Sequence, residues 1–273
     1  MRLFHYTDLN ALYSMLTNRK LRLTDIRYLN DSRELYEGID FIRNELQTID
    51  RAKFENEMYF RKAIDFLDCA LKDFAVSAVS EDPLFVFSLS NQPDCLSQWR
   101  AYGKYAIEFD KEFLLEDVKV IKECVYVGTG MRETVYDKVM NAVSDVSVDM
   151  SENLGCLNKS HEILNDLIHF ATTLKHGGFS EECESRIIFP ASESDFQNNI
   201  QYRARGDILV PYIEVPISLD CIKSITVGPV KDQDLAFNSM YDFIKKIERV
   251  HQVNIGNIEF NISVHKSLVP FRG

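Results

Sequence analysis

Hydrophobic and polar positions alternate along the chain with two periods, one typical of strands and one typical of helices. Residues 2–7 predict a short strand, and Asp8 is suited to cap a helix with Leu12 and Leu16 on one face. The same patterns predict strands at 21–24, 84–89, 105–109, 118–127, 185–189, 208–215, 222–227 and 258–264. They predict helices from the 30–32 turn to 46, at 52–73, at 133–174 with a break at 151–158, and at 232–251.

The order of these segments indicates the fold class. Strands follow one another without a regular alternation with helices, which disfavours a doubly wound parallel sheet. We therefore expect an α+β fold with a mixed, largely antiparallel sheet, continuous or split, and flanking helices. The 273 residues are expected to form a single domain, 1–273, with residues 131–174 as a helical insertion within it.

Charge and composition limit the classes of partner. The formal net charge of −11 disfavours general nucleic-acid binding. No apolar run reaches the roughly 20 residues needed to span a bilayer, and the first residues lack a signal-peptide core, so we expect a cytoplasmic protein with no membrane partner. The six cysteines are scattered singly, so we expect reduced thiols and no metal site. Both a monomer and an oligomer fit the sequence.

The first of three motifs with functional side chains is the segment from His5 through Tyr6 to Thr7. It lies at the end of a predicted strand, where side chains can project into a cleft. The alternative is a core histidine beside a packed tyrosine, with Thr7 or Asp8 only capping the next helix.

The second motif holds Ser97, Trp99, Arg100 and Tyr102 in a segment predicted as a loop between two strands. Hydroxyls and a guanidinium can bind a phosphate or a sugar, while Trp99 or Tyr102 stacks on a planar ring. The alternative is that Trp99 anchors the loop in the core and Arg100 pairs with a surface carboxylate.

The third motif is the run from Lys175 to Arg186, which leads into a strand. In an extended conformation Glu182, Glu184 and Arg186 share one face, because alternate residues of a strand point the same way. Two carboxylates held beside a guanidinium suit the stabilisation of positive charge in a substrate. The alternative is a solvated charge ladder on an edge strand, with Arg186 paired to Glu182 or Glu184.

These motifs resemble those of a widespread bacterial family known as a domain of unknown function. The resemblance covers nearly the whole chain, and it implies that Asn30 and Asp31 belong with the site. The matching residues are Phe4–Thr7, Leu29–Asp31, Leu96–Gly103, Phe179–Arg186, Lys266–Ser267 and Pro270.

The opening of the chain, residues 3–7 followed by 11–16, is similar to that of ADP-ribosyltransferases of the poly-ADP-ribose polymerase and diphtheria-toxin type. That fold carries an NAD-binding histidine, an aromatic residue beside the nicotinamide and a glutamate, in that order, and His5, Tyr102 and Glu184 follow the same order here. Tyr6 stands where that fold usually has glycine, and the middle motif lacks the Gly-x-Tyr-Phe run.

The resemblance implies an NAD-consuming enzyme, with NAD as a substrate and an unidentified acceptor. Glu184, or Glu182 in its place, would stabilise the charge on the nicotinamide ribose. The adenine-side ribose would contact His5 and Thr7. The pyrophosphate would contact Arg100 or Arg186, and Tyr102 or Trp99 would stack on nicotinamide.

Two rival functions fit the same residues. A non-catalytic module could bind a nucleotide or a partner with the ring and arginines alone. A metal-dependent hydrolase could use Glu182, Glu184, His176 and Asp31.

Overall fold

The computed structural model describes residues 1–29, 33–54, 57–77, 83–118, 120–126, 128, 131–190, 199–256 and 259–270. The helices are α1 (Leu9–Asn18), α2 (Glu34–Thr48), α3 (Met58–Ser77), α4 (Leu96–Ala101), α5 (Lys111–Val118), α6 (Met131–Glu152), α7 (Ser160–Ala171) and α8 (Gln233–Ile255). The strands are β1 (Arg2–Thr7), β2 (Lys20–Asp25), β3 (Leu84–Ser90), β4 (Tyr105–Asp110), β5 (Ile121–Glu123), β6 (Val125–Tyr126), β7 (Leu174–Lys175), β8 (Glu184–Pro190), β9 (Gln201–Arg205), β10 (Ile208–Pro216), β11 (Ile222–Val227) and β12 (Ser263–Lys266).

The predicted α+β class and the largely antiparallel sheet are confirmed. The main sheet runs in the order β12-β11-β4-β1-β3-β2-β10-β9, and β8 and β5 extend it from β3. Its pairs are antiparallel except for the parallel pair of β11 and β12. A separate parallel pair joins β6 to β7.

The sheet splits between β1 and β2, which share one edge of β3. Strand β1 meets this edge at Ser90, whereas β2 meets it at Phe85 and Val86. The opposite edge of β3 is paired along its whole length with β8. The two strands therefore diverge around the middle of β3 and leave an opening in the sheet.

Alternate side chains of β3 enter two different cores. Phe85, Phe87 and Leu89 join a cluster that includes the buried faces of α1 and α8. Leu84 and Val86 join a second cluster formed with α2, α3, α6 and α7. The sheet is thus covered by helices on both faces, as the period-two pattern of a buried strand requires.

The helical segment 131–174 forms α6, α7 and β7, with the predicted interruption between the two helices. Both helices share a hydrophobic core with α2 and α3. The approach of α2 to α7 is close, since a Cβ on Gly38 would lie 2.1 Å from the Ala171 carbonyl oxygen. The segment is therefore half of a packed helical layer. None of the helices in the described ranges has the length and apolar content needed to cross a membrane.

Several local predictions are wrong. The predicted loop at 96–101 is helix α4, and residues Gly177–Glu182 form a 3-10 helix that places Glu182 outside the strand. Cys183 ends that helix with φ of 42°, and β8 starts directly afterwards. The predicted strand 118–127 is interrupted, and β9 was not predicted. These are short segments, whose conformation depends on the neighbours that they pack against.

Candidate functional site

A cleft of about 540 Å³ occupies the opening in the sheet. Its volume falls within the roughly 300–1,000 Å³ of small-molecule sites in proteins. The walls come from β1, α1, β2, the start of α2, β3, β7, β8, β9, the residue after α4 and the 3-10 helix before β8. Of the residues predicted for the site, the cleft is lined by His5, Tyr6, Thr7, Tyr102, Glu182, Glu184 and Arg186.

His5 connects β1 to the middle of β3, beside the opening in the sheet. Its Nδ1 lies 2.9 Å from the backbone oxygen of Ser88, and its ring stacks on Phe87 with centroids 4.1 Å apart. Because a carbonyl oxygen only accepts, Nδ1 carries the proton and Nε2 of the neutral ring is an acceptor. Burial lowers the pKa of His5 to about 4, so the ring is neutral at physiological pH.

A lysine that the sequence reasoning did not assign a role lies among three carboxylates. Lys175 Nζ is 2.6 Å from Glu182 Oε2, 2.5 Å from Glu184 Oε2 and 3.2 Å from Glu34 Oε1. Burial alone would lower the pKa of Lys175, but the charges of Glu184 and Glu34 raise it well above its ordinary value. Lys175 is therefore a fixed cation.

Arg186 is the second cation of this network. Its Nε donates to Glu184 Oε1 over 2.7 Å, its Nη1 donates to the Thr172 carbonyl over 2.5 Å, and its Nη2 pairs with Glu34. The side chain is only 1% exposed. Strand β8 lies between β3 and β5, so the alternative of a solvated ladder on an edge strand is wrong, although the pairing of Arg186 with Glu184 that it included is confirmed.

The two candidate glutamates differ in what they can offer a ligand. Burial would raise the pKa of Glu184, but Arg186 and Lys175 outweigh it and lower the pKa to about 2. Both Glu184 oxygens are engaged by these two cations. Glu182 is more exposed, and its Oε1 accepts from the Tyr102 hydroxyl over 3.1 Å. Glu182 is thus the carboxylate better placed to touch a ligand.

Tyr102 reaches the cleft because the chain after α4 turns against the end of β1. Gly103 has φ of 146°, and a Cβ there would lie 2.2 Å from the Thr7 carbonyl oxygen. The Tyr102 ring is 38% exposed, as befits a surface for ligand contact. Burial of its hydroxyl and the charge of Glu182 raise the pKa of Tyr102, so the hydroxyl keeps its proton.

Trp99, Ser97 and Arg100 do not line the cleft. The Trp99 side chain is 1% exposed and packs with Phe4 and Tyr6 on the other side of β1. Its Nε1 donates to Asp94 Oδ1 over 2.8 Å. The prediction that Trp99 stacks on a ligand is therefore wrong, and the alternative that it anchors the segment in the core is confirmed.

Ser97 and Arg100, the other two residues of this motif that do not line the cleft, have contacts or exposure elsewhere. Ser97 Oγ lies 3.1 Å from Cys95 Sγ, and Arg100 is exposed on α4. The assignment of a pyrophosphate to Arg100 is wrong for this reason. Arg186 lines the cleft, but its donors are directed to Glu34, Glu184 and Thr172.

Three predicted residues contribute less directly, or cannot be placed. The Tyr6 hydroxyl donates to the Gln92 carbonyl over 2.7 Å and accepts from Cys95 N over 2.9 Å, so its polar end serves the fold. Asn30 and Asp31 lie outside the described residues. They precede Glu34, whose carboxylate does line the cleft.

Sequence reasoning missed several cleft residues. Glu34 and Lys175 sit next to predicted motifs, and Phe179 is an exposed ring within the third motif. Three cationic cleft residues were missed as well: Arg22 on β2, and Arg203 and Arg205 on β9. The two-residue spacing of the last pair, followed by a Gly-Asp turn, is a hairpin signal that could have revealed β9.

The hypothesis of metal-dependent hydrolysis gains no support from the cleft. Lys175 Nζ lies between Glu182 and Glu184, where a shared metal ion would have to bind. His176 Nδ1 accepts from Gly178 N over 3.1 Å and is not among the cleft residues. Within the described ranges, no group of three histidine, cysteine or carboxylate residues has a metal-binding arrangement.

Comparisons with known proteins gave no match. No family model, no curated protein and no solved structure matches this chain.

Proposed function

We propose that the protein cleaves the glycosidic bond between nicotinamide and ribose in NAD and transfers ADP-ribose to an acceptor or to water. One observation carries the proposal: His5, Tyr102 and Glu182 come from three distant segments and line the same cleft. Their order along the chain is that of the ADP-ribosyltransferases that the sequence resembles. The NAD identity rests on that resemblance.

The chemistry needs a carboxylate at the ribose. When the C1′–N bond breaks, its electron pair passes to the nicotinamide nitrogen and positive charge develops on the ribose. A carboxylate held beside that carbon stabilises the charge. The acceptor then forms a bond to C1′ and loses a proton to solvent.

Glu182 suits this role better than Glu184. Tyr102 and Lys175 each hold one Glu182 oxygen, which fixes the carboxylate at the cleft surface. Glu184 is 5% exposed and keeps Lys175 and Arg186 in position. In this proposal Glu182 contacts the ribose, and Glu184 is a positioning residue.

The other walls suit the rest of the nucleotide. His5 Nε2 can accept a hydrogen bond from a ribose hydroxyl, because its Nδ1 is committed to Ser88. Tyr102 and Phe179 are the exposed rings among the cleft residues and could stack on nicotinamide.

The test is the release of nicotinamide from NAD by the purified protein and by Glu182→Gln, Glu184→Gln and His5→Ala variants. We expect Glu182→Gln to lower the rate by about 100-fold or more while ADP-ribose still binds. Glu181→Gln is the matched control, because Glu181 is the neighbouring exposed carboxylate and is not a cleft residue. Its rate should stay within about twofold of the wild type.

Absence of nicotinamide release from the wild-type protein at every NAD concentration and with protein, nucleic-acid and water acceptors would contradict the proposal. An equal loss in Glu181→Gln and Glu182→Gln would contradict the assigned role of Glu182.

A non-catalytic nucleotide-binding module is the second candidate. The observation that favours it is the pairing of the acids: Lys175 and Arg186 already compensate two of the three negative charges of Glu182, Glu184 and Glu34. Such a module would bind NAD and ADP-ribose equally in the wild type and would release no nicotinamide.

A further inference from the structure

Three arginines lie on one face of the β2–β10–β9 part of the sheet. Arg22 is opposite Glu214 of β10, while Arg203 and Arg205 are opposite Val210 and Ile208 of β10. Residues 208, 210 and 214 of β10 are separated by even numbers of positions, so all three arginines share a face. All three line the cleft.

Two of these arginines have no acidic partner in the part of the chain that the structure describes. Arg22 pairs with Glu214 over 3.2 Å and lies over the Tyr212 ring. Arg203 donates to Thr24 Oγ1 over 3.1 Å. Among the described residues, no carboxylate lies within ion-pair distance of Arg203 or Arg205, and Asp8, which caps α1, is the acid whose charge acts on Arg203.

The three arginines repel one another, because this end of the cleft has more positive than negative side chains. Partial burial and the charges of Arg205 and Arg22 lower the pKa of Arg203 below its ordinary value. An anion bound between the arginines would relieve this repulsion, and guanidinium groups match phosphate oxygens with paired donors.

The opposite end of the cleft keeps one net negative charge, because the three carboxylates of Glu34, Glu182 and Glu184 face only two cations. Glu184 is paired with Ser90 at the end of β3, on the strand edge that faces away from β2 and β9. A ligand that spans both ends would place negative charge near β9 and positive charge near Glu182. A dinucleotide with a diphosphate and a cationic nicotinamide ring has this distribution of charge.

We infer that Arg203 and Arg205, supported by Arg22, form the subsite that binds the diphosphate of the nucleotide. This inference rests on the proposed function for the identity of the nucleotide. It assigns to β2 and β9 the role that the sequence suggested for Arg100 or Arg186.

The test is equilibrium binding of ADP-ribose and of adenosine, measured by calorimetry on the full chain. The variant is Arg203→Gln with Arg205→Gln; Arg22 is kept, because it already pairs with Glu214. The control is Arg249→Gln, an exposed arginine of α8 that is not among the cleft residues. Thermal unfolding followed by circular dichroism checks that each variant is folded.

We expect the double variant to bind ADP-ribose about 30-fold or more weakly, while adenosine binding and the control stay within about twofold of the wild type. A variant with lysine at both positions should recover only part of the loss, because lysine keeps the charge without the fork of donors.

The inference would be overturned if the double variant bound ADP-ribose as tightly as the wild type does. It would also be overturned if the wild-type protein bound ADP-ribose and adenosine equally well, or bound neither of them. Failure of the proposed function is separable: the wild-type protein would then bind ADP-ribose through the arginines and release no nicotinamide from NAD.

Discussion

Lys175 Nζ lies 2.5 Å from Glu184 Oε2, with the two side chains 3% and 6% exposed. Such a buried pair adds little stability by itself, because both ions lose their hydration. Its effect appears when one partner is removed, since the other charge is then left buried. The same contact anchors the wall of the cleft that carries Glu182.

Lys175→Met should destabilise the fold by about 3–5 kcal/mol at neutral pH, because the carboxylates of Glu34, Glu182 and Glu184 would lose their shared cation. The measurement is urea unfolding. Arg51→Gln breaks the exposed pair with Asp65 and should cost about 1 kcal/mol or less. Equal losses in the two variants would contradict the structural role of Lys175.

The free energy of unfolding should decrease as the pH falls from 6.5 to about 4, the range over which His5 titrates differently in the folded and unfolded chains. The pKa of His5 is lowered from 6.5 to about 4 by burial, so in this interval the unfolded chain binds a proton that the folded chain does not. The contribution is complete above pH 6.5 and is lost as the pH falls towards 4, by about 3 kcal/mol at most. Glu184 adds a further loss only below its ordinary pKa of 4.5, as the pH approaches 2.

His5→Gln should flatten this decline in unfolding free energy between pH 6.5 and 4. The amide can still donate to Ser88, so the change isolates titration from the hydrogen bond. His265→Gln, at an exposed position of β12, is the control and should keep the wild-type profile. A profile of His5→Gln parallel to that of the wild type would refute the assignment.

Trp99→Phe should lower stability by about 1–3 kcal/mol, because Asp94 loses the indole donor and the core loses volume. Binding of ADP-ribose should stay within about twofold, because the ring does not reach the cleft. Circular dichroism and calorimetry measure the two quantities. If the variant lost tenfold or more in affinity for ADP-ribose, about 1.4 kcal/mol, while its stability was unchanged, Trp99 would have to be regarded again as a ring that stacks on the ligand.

Gly103→Ala should destabilise the protein by more than about 2 kcal/mol, since φ of 146° is unfavourable for alanine and the new Cβ would meet the Thr7 carbonyl. Gly206→Ala is the matched control: φ is 58° and no heavy atom lies within 4 Å of its Cβ. It should cost about 1 kcal/mol. Thermal unfolding of both variants provides the comparison, and a larger loss in Gly206→Ala would contradict this explanation.

Local patterns predicted the regular elements well where they are long. The strands at β1, β3, β4, β10 and β11 and the helices α1, α6, α7 and α8 lie where their hydrophobic periods indicated. The motifs also indicated His5, Tyr102 and Glu182 as cleft residues. These predictions succeed because periodicity and capping depend on neighbours in sequence.

The amino-acid sequence by itself determined the α+β class, the strand and helix periods and the types of side chain available for a site. The tertiary structure alone decided which of them meet: Arg186 pairs with Glu34, 152 positions away, Trp99 enters the core, and the unpredicted β9 brings Arg203 to the cleft. Contacts between segments that are distant in sequence determine which charges pair in the interior and where large side chains point. Local periodicity does not predict those contacts.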